Sequence, residues 1–446
     1  MTNNSSCKLF KFGCSDSSNK RFDNFIKNNE TFFKNNNINV NTNREQRIKL
    51  FIEVVSSIEK IKEENPNSSF KAQPWQVLLP GEKGRPGKGL KNDSSSSDNE
   101  SASESASESG SESASESASE SASESTSSSS SFNAQSLTPI DWSKNIKQDS
   151  NGNPIILNQG DCDCCTKFSC CSACAIVYNI DNSKQLLFSP QSLIDCNNYI
   201  FNNLNSKCPS VGDCGASIPG CCTATLYNGL YLTGNSKTKC TTNSRINKKN
   251  NISNPCPNKN AELGGHIELP DSSSETTGQY YSGNNNIYLS SCGDECYSNS
   301  ENPSPSTCSP VDSNNQSLII PNTVVKSFEY YKNSSNVNDS NYLGSGDDAV
   351  KIMYNLLQRG PLMAAVDASK KTFETYQSGV VQSPVSDNNP DHAIAIVGYG
   401  IENGIPFWNI LNSWGSSYGN NGFIKIEAGK NVCGIETQVV GNIILE

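Results

Sequence analysis

The chain has 446 residues, with Lys+Arg 35 against Asp+Glu 45 and a net charge of −10, an acid excess that argues against a protein tracking nucleic-acid phosphates. Apolar residues make up 34%, which 31 glycines raise to about 41%, below the roughly 45–50% of an ordinary globular chain, so part of the length is not core. No run of about 18 apolar residues marks a bilayer span, and two histidines, His266 and His392, exclude HExxH metalloproteases and multi-histidine metal sites.

Residues 1–30 contain Cys7 and Cys14 but no apolar stretch of a secretory leader. Residues 45–62 place Ile48, Phe51, Val55 and Ile58 on one helical face, widened by Val54 and Ile61, with charges on the other side. That pattern predicts an amphipathic helix. Residues 80–89 (PGEKGRPGKG) are basic and turn-rich and read as a linker. From Ser101 to Glu124 six tetrads repeat, SASE five times and SGSE once. Nothing in them can be buried to offset ordering entropy, and like charges at every fourth position repel. Residues 92–131 are therefore expected to be a disordered, solvated spacer; the alternative is a serine array for phosphate or sugar attachment.

Beyond about Leu137 the texture changes, and residues 137–446 read as one folded region. Residues 165–180 predict a helix of small side chains that packs closely. A second helix is expected over 347–359, opening on acidic residues and closing at Gly360. Strand-like runs follow at 361–368, 392–400, 406–414 and 422–427, with a hairpin turn at Glu402-Asn403-Gly404. The class is α+β, a helical half preceding a β-rich half. Residues 231–320, poor in apolar side chains, read as a long loop-dominated insertion pinned by disulfides.

Of 19 cysteines, most fall between Cys162 and Cys308, and Cys433 stands near the end. Such density points to disulfides and an oxidising compartment, and the sequons at Asn251 and Asn333 suit secretion. The unreadable leader conflicts with this, and the expectation is that the natural start lies upstream of Met1.

The chemistry-bearing stretch runs from Asn158 to Ser169, where a glycine turn precedes a thiol at a helix N-terminus. Unpaired N–H groups and the positive end of the helix dipole lower a thiol pKa there. Downstream come Asp391-His392-Ala393 and Asn412-Ser413-Trp414-Gly415. Thiol, imidazole and carboxamide suit a nucleophile, its base and the group that orients the base.

These residues resemble the papain (cathepsin-like) family of cysteine proteases. The family pattern Q-G-x-C-x-x-C fits Gln159, Gly160, Cys162 and Cys165. The resemblance implies a two-lobe fold, helical first and β-barrel-like second, with Cys165 as nucleophile, His392 as base and Asn412 as its orienter. Gln159 and the Cys165 amide would form the oxyanion hole, Trp414 would shield the His–Asn bond, and Asp391 would support it. Cys162, Cys214 and Cys196 are implied as disulfide partners, Cys433 as unpaired. The tail from Val397 to Glu436 is closest to cathepsin B-like members, whose substrate-pocket acid falls at Gln438. No metal or cofactor is implied. The implied partners are peptide substrates and the chain's own propeptide, in a monomer of lysosomal or extracellular location. Residues 1–91 would be propeptide-like, Arg47, Phe51 and Ile58 falling on the family's helical signature, with cleavage near 131–137.

Three departures stand beside the matches. The family's tryptophan after the nucleophile is Thr166 and the following alanine is Lys167. Cys164 adjoins Cys165, leaving open a vicinal disulfide or a thiolate metal cluster with Cys162. Cys165 and His392 are further apart than the roughly 130–150 residues usual in the family. The reading is a Cys-His-Asn endopeptidase made as a zymogen. The alternatives are a catalytically impaired papain-fold protein that binds peptides, and a cross-linked structural protein.

Overall fold

The computed structural model describes residues 16–82, 84–87, 132–149, 151–160, 165–188, 190, 281–282, 286–288, 325–333, 337–338, 340–385 and 390–445. The SASE tract, most of 231–320, Cys162, Cys164, Cys196, Cys214 and His266 lie outside the described residues.

Helices α1 (Asp16–Asn28), α2 (Glu30–Asn35) and α3 (Arg44–Glu64) come first. Helix α3 is the amphipathic helix that the periodicity predicts. It buries Ile48, Phe51, Val54, Ile58 and Ile61, while Val55 is half-buried at the margin of the stripe. Phe22 and Phe25 of α1 pack on Phe51, with ring centroids 5.7 and 4.8 Å away. Truncating so enclosed an aromatic to alanine costs about 3–5 kcal/mol. Arg47 is buried on the same helix, which no apolar pattern signals.

Strand β1 (Ser68–Phe70) is followed along the chain by β2 (Ile140–Asp141), β3 (Ile156–Asn158) and helix α4 (Cys165–Asn182). Two short strands, β4 (Tyr281–Ser282) and β5 (Asn286–Tyr288), pair with each other, and β5 runs parallel to β3. The remaining elements are β6 (Val325–Lys332), α5 (Asp347–Leu357), β7 (Leu362–Val366), α6 (Lys371–Thr375), β8 (Tyr376–Val381), β9 (His392–Glu402), β10 (Ile405–Leu411), β11 (Phe423–Glu427) and β12 (Gln438–Leu445).

The main sheet follows the order β1-β8-β11-β10-β9-β7-β12-β6, with β2 added on β9. Its end strands β1 and β6 do not meet, so the expected barrel-like second lobe is instead an open sheet. Closure needs the two edges to pair; here one edge is β1, a strand from the N-terminal segment, and the other is β6. The turn between β9 and β10 carries Asn403 and Gly404 at φ +52° and +78°, as a two-residue primed turn requires.

Strand β7 is buried along its whole length, and β9 from His392 to Gly400. Their near-continuous apolar runs reflect cover on both faces, one of it supplied by α4. The buried face of α4 includes Ser169, Cys170, Cys171, Ala173 and Cys174, small enough for close approach to the sheet. The Ser169 hydroxyl donates to the Ile394 carbonyl at 2.7 Å, bolting the helix to β9. Cys165, Met363, Ala365, Ala393 and Val440 share one buried cluster at this seam.

Candidate active site

The seam between α4 and β9 places the first residue of one beside the first residues of the other. Cys165 opens α4, so its sulfur lies where the helix leaves its N–H groups unpaired. The Ala393 N–H donates to that sulfur at 3.2 Å. His392, the first residue of β9, is fully buried, as is Cys165.

Asn412 immediately follows β10, the neighbour of β9. Its Oδ1 accepts from the Ser413 N–H at 2.8 Å and pairs with His392 Nε2 at 2.8 Å. A peptide N–H can only donate, so the first contact fixes which end of the amide is oxygen. Nε2 must then carry the ring proton, and Nδ1 is the nitrogen left for proton exchange. Trp414 packs over this pair, its ring centroid 5.1 Å from the imidazole and inclined by 35°. Phe373 and Tyr418 meet the indole edge-on at 5.4 and 5.1 Å. The His–Asn bond is thereby kept from water.

Gln159 is held from the same segment. Strand β3 bridges to residues 413–415 through Gln159 N–H to Ser413 O at 2.9 Å and Gly415 N–H to Leu157 O at 3.1 Å. The Ser413 hydroxyl donates to Gln159 Oε1 at 2.5 Å, which fixes the oxygen end of the amide against Ser413. Ser413 and the Ala393 amide were not singled out from the sequence. The position of Ser413 between Asn412 and Trp414 was the only available signal.

Asp391 accepts from the Ala368 N–H at 2.7 Å and so fixes the loop after β7. Gln438 lies on β12 opposite Lys332, its Oε1 accepting from the Tyr330 hydroxyl at 3.1 Å. Tyr330 packs against the cluster that contains Cys165. Thr166 and Lys167 are both buried, and among the described residues Thr166 Oγ1 has no hydrogen-bond partner. Cys433 is a free, fully buried cysteine whose thiol is pushed up to about 12 by burial, with Asp367 adding to the effect.

The segment read as a linker crosses this site. Gly87 N–H donates to the Gly160 carbonyl at 2.8 Å, and Trp414 Nε1 donates to the Gly87 carbonyl at 3.2 Å. Upstream, Trp75 meets Trp414 edge-on at 6.2 Å, and Val77, Leu78 and Leu79 are buried.

A helix and an open sheet that bring one sulfur, one imidazole and one carboxamide to a shared seam define a papain-like α+β protein. Residues 280–443 match the papain family of cysteine proteases, a match that starts inside the stretch read as an insertion. It contains His392, Asn412 and Trp414, while Cys165 and Gln159 lie upstream of it. The chain is 52% identical over 68 residues to the oryzain gamma chain of Oryza sativa subsp. japonica, covering 15% of this chain and 19% of that protein. It is 46% identical over 83 residues to the viral cathepsin of Mamestra configurata nucleopolyhedrovirus, covering 19% and 24%. The aligned stretches thus span a quarter or less of these relatives. The proform of the ragweed pollen cysteine protease Amb a 11 superposes with a TM-score of 0.50 at 14% identity, over 98% of this chain and 99% of that one. At that identity the likeness concerns the fold.

Proposed function

We propose that the protein is a cysteine endopeptidase made as a zymogen, with Cys165, His392 and Asn412 as its catalytic residues. The observation that carries this is the pairing of His392 Nε2 with Asn412 Oδ1 beside a strand whose next N–H, that of Ala393, holds the Cys165 sulfur. The Cys165 thiolate attacks the peptide carbonyl carbon, forming a C–S bond. The C–N bond breaks as His392 Nδ1–H delivers its proton to the leaving amine. Water then attacks the thioester and gives one proton back to the imidazole; the acid leaves and the thiolate returns. The Gln159 amide nitrogen and the Cys165 N–H would hold the oxyanion, where one donor is typically worth about 10²–10³ in rate.

Residues 16–87 act as the inhibitory propeptide, with residues 84–87 lying over the Gly160–Trp414 side of the cleft. The fixing of residues 133–138 favours processing upstream of them: the Tyr399 hydroxyl holds the Ala134 carbonyl, Tyr354 holds Thr138, and Gln135 holds Gly404. Gln438, a neutral amide at the position where cathepsin B-like members carry an acid, would weaken any preference for a basic side chain in the substrate pocket. The cysteine density favours a lysosomal or extracellular setting.

An epoxysuccinyl label applied to the processed protein tests this. Stoichiometric modification of Cys165, and no peptide hydrolysis by Cys165→Ala, are expected. Absence of labelling would favour the non-cleaving peptide-binding reading, for which buried Thr166 in place of the family tryptophan is the motivating observation.

A further inference from the structure

The strongest polar grip between the N-terminal segment and the body lies away from the cleft. Asn65, with no exposed surface, follows α3. Its Oδ1 accepts from the backbone N–H groups of both Gln382 and Ser383, at 2.8 and 2.9 Å, and its Nδ2 donates to Ile61 O at 3.1 Å. Asn67 Nδ2 donates to Gln382 Oε1 at 3.1 Å, and Ser68 Oγ to Val380 O at 2.7 Å. Strand β1 then pairs antiparallel with β8, Ser68 opposite Gly379 and Phe70 opposite Tyr376, and Phe70 is buried.

The body is shaped for this approach. Gly379 has φ +85°, and a Cβ there would come within 1.9 Å of the Asn67 carbonyl oxygen and 2.7 Å of Ser68 Cα. Only glycine lets the incoming backbone come so near. Gln382 is oriented for it as well: its Nε2 donates to Glu427 Oε2 at 2.9 Å, which turns its Oε1 toward Asn67. Glu427 is itself paired with Lys430 at 2.9 Å. On its other side β8 is already paired, in parallel, with β11. One edge therefore offers main-chain donors and acceptors, a glycine cradle and an oriented amide.

We propose that this edge of β8 is a second peptide-binding site, separate from the catalytic cleft. It takes an extended peptide carrying an asparagine just ahead of its paired stretch, and in the processed enzyme it holds such a segment of a protein substrate. The processed state rests on the zymogen reading above. Residues 65–70 show the chemistry the edge accepts: a ladder of main-chain bonds supplies sequence-tolerant affinity, and the buried asparagine supplies selectivity. A segment anchored there raises the local concentration of the attached scissile bond at the cleft.

The test uses protein cut within residues 88–131 from the folded full chain and freed of residues 16–87. A labelled peptide of residues 63–72 should bind it, and the same peptide with Asn65→Ala should bind at least tenfold more weakly. Gly379→Ala protein should lose the wild-type peptide at least tenfold while hydrolysing a dipeptidyl coumarylamide at the wild-type rate, which shows its body intact. Joining the segment to a longer fluorogenic peptide should lower KM at least fivefold with kcat unchanged. Equal binding of the two peptides, an unchanged KM, or competition of the 63–72 peptide with the coumarylamide would overturn the proposal. If the wild-type protein hydrolyses nothing, the peptidase reading fails, and the binding measurements still decide whether the edge is a peptide site.

Discussion

Arg47, with no exposed surface, holds both carboxylate oxygens of Glu82, at 2.5 and 2.8 Å, and also donates to the Val77 carbonyl at 3.0 Å. One guanidinium from α3 thus fixes the chain on either side of the buried Leu78, just before residues 84–87 cross the site.

Glu82→Ala should therefore loosen the covering segment. It leaves the Arg47 charge buried without its partner, a change that costs about 3–5 kcal/mol in comparable cases. The full-chain variant should label at Cys165 with an epoxysuccinyl reagent at least tenfold faster than wild type. The hydrogen bonds from Arg47 hold the Glu82 carboxyl below its ordinary 4.5. A lowered carboxyl contributes stability that is present above the unfolded value and lost as pH falls through the folded one. Labelling of wild type should accelerate below about pH 4.5, and Glu82→Gln should blunt that acceleration.

Ser413→Ala removes the donor that fixes the Gln159 amide without removing Gln159. Losing an oxyanion donor outright is worth about 10²–10³ in kcat, so a merely misdirected one should cost about tenfold. Steady-state kinetics should show the loss in kcat with KM little changed. A loss confined to KM would place Ser413 in substrate binding instead.

Asn412→Ala should lower kcat/KM about 10²-fold, because an imidazole no longer held at Nε2 turns and displaces Nδ1 from the reacting atoms. The protein should remain folded by circular dichroism, since Trp414 keeps its packing against Phe373 and Tyr418.

Glu436 accepts from Trp408 Nε1 at 3.0 Å, Gly429 N–H at 2.6 Å and Asn431 N–H at 2.8 Å, yet burial outweighs these donors and raises its carboxyl. The folded protein therefore binds this proton more tightly than the unfolded chain. The resulting stability is full below the unfolded value and is lost as pH rises through the raised folded one. Glu436→Gln should flatten the Tm profile above about pH 4.5. Its NH₂ would also face a backbone N–H, at a cost of about 1–3 kcal/mol.

Alkylation should separate two buried cysteines. With its thiol pushed up to about 12, Cys433 carries almost no thiolate near neutrality and should resist iodoacetamide in the folded protein. Cys165 of the processed enzyme should react first, as peptide mass mapping would show.

Local pattern determined much of this protein. Three-and-four spacing defines α3, the Asn403-Gly404 pair defines the β9–β10 hairpin, and apolar runs mark β7 and β9, because each depends on neighbours a few residues away. The order of Gln159, Cys165, His392, Asn412 and Trp414 was likewise legible along the chain. Tertiary structure alone decided what distant segments do to one another: the burial of Arg47, the hydroxyl of Ser413 on Gln159, the passage of Gly87 across Trp414, and the addition of β1 to the edge at β8. Those contacts join residues far apart in sequence, and no local periodicity records which polar group will meet which once the chain has folded.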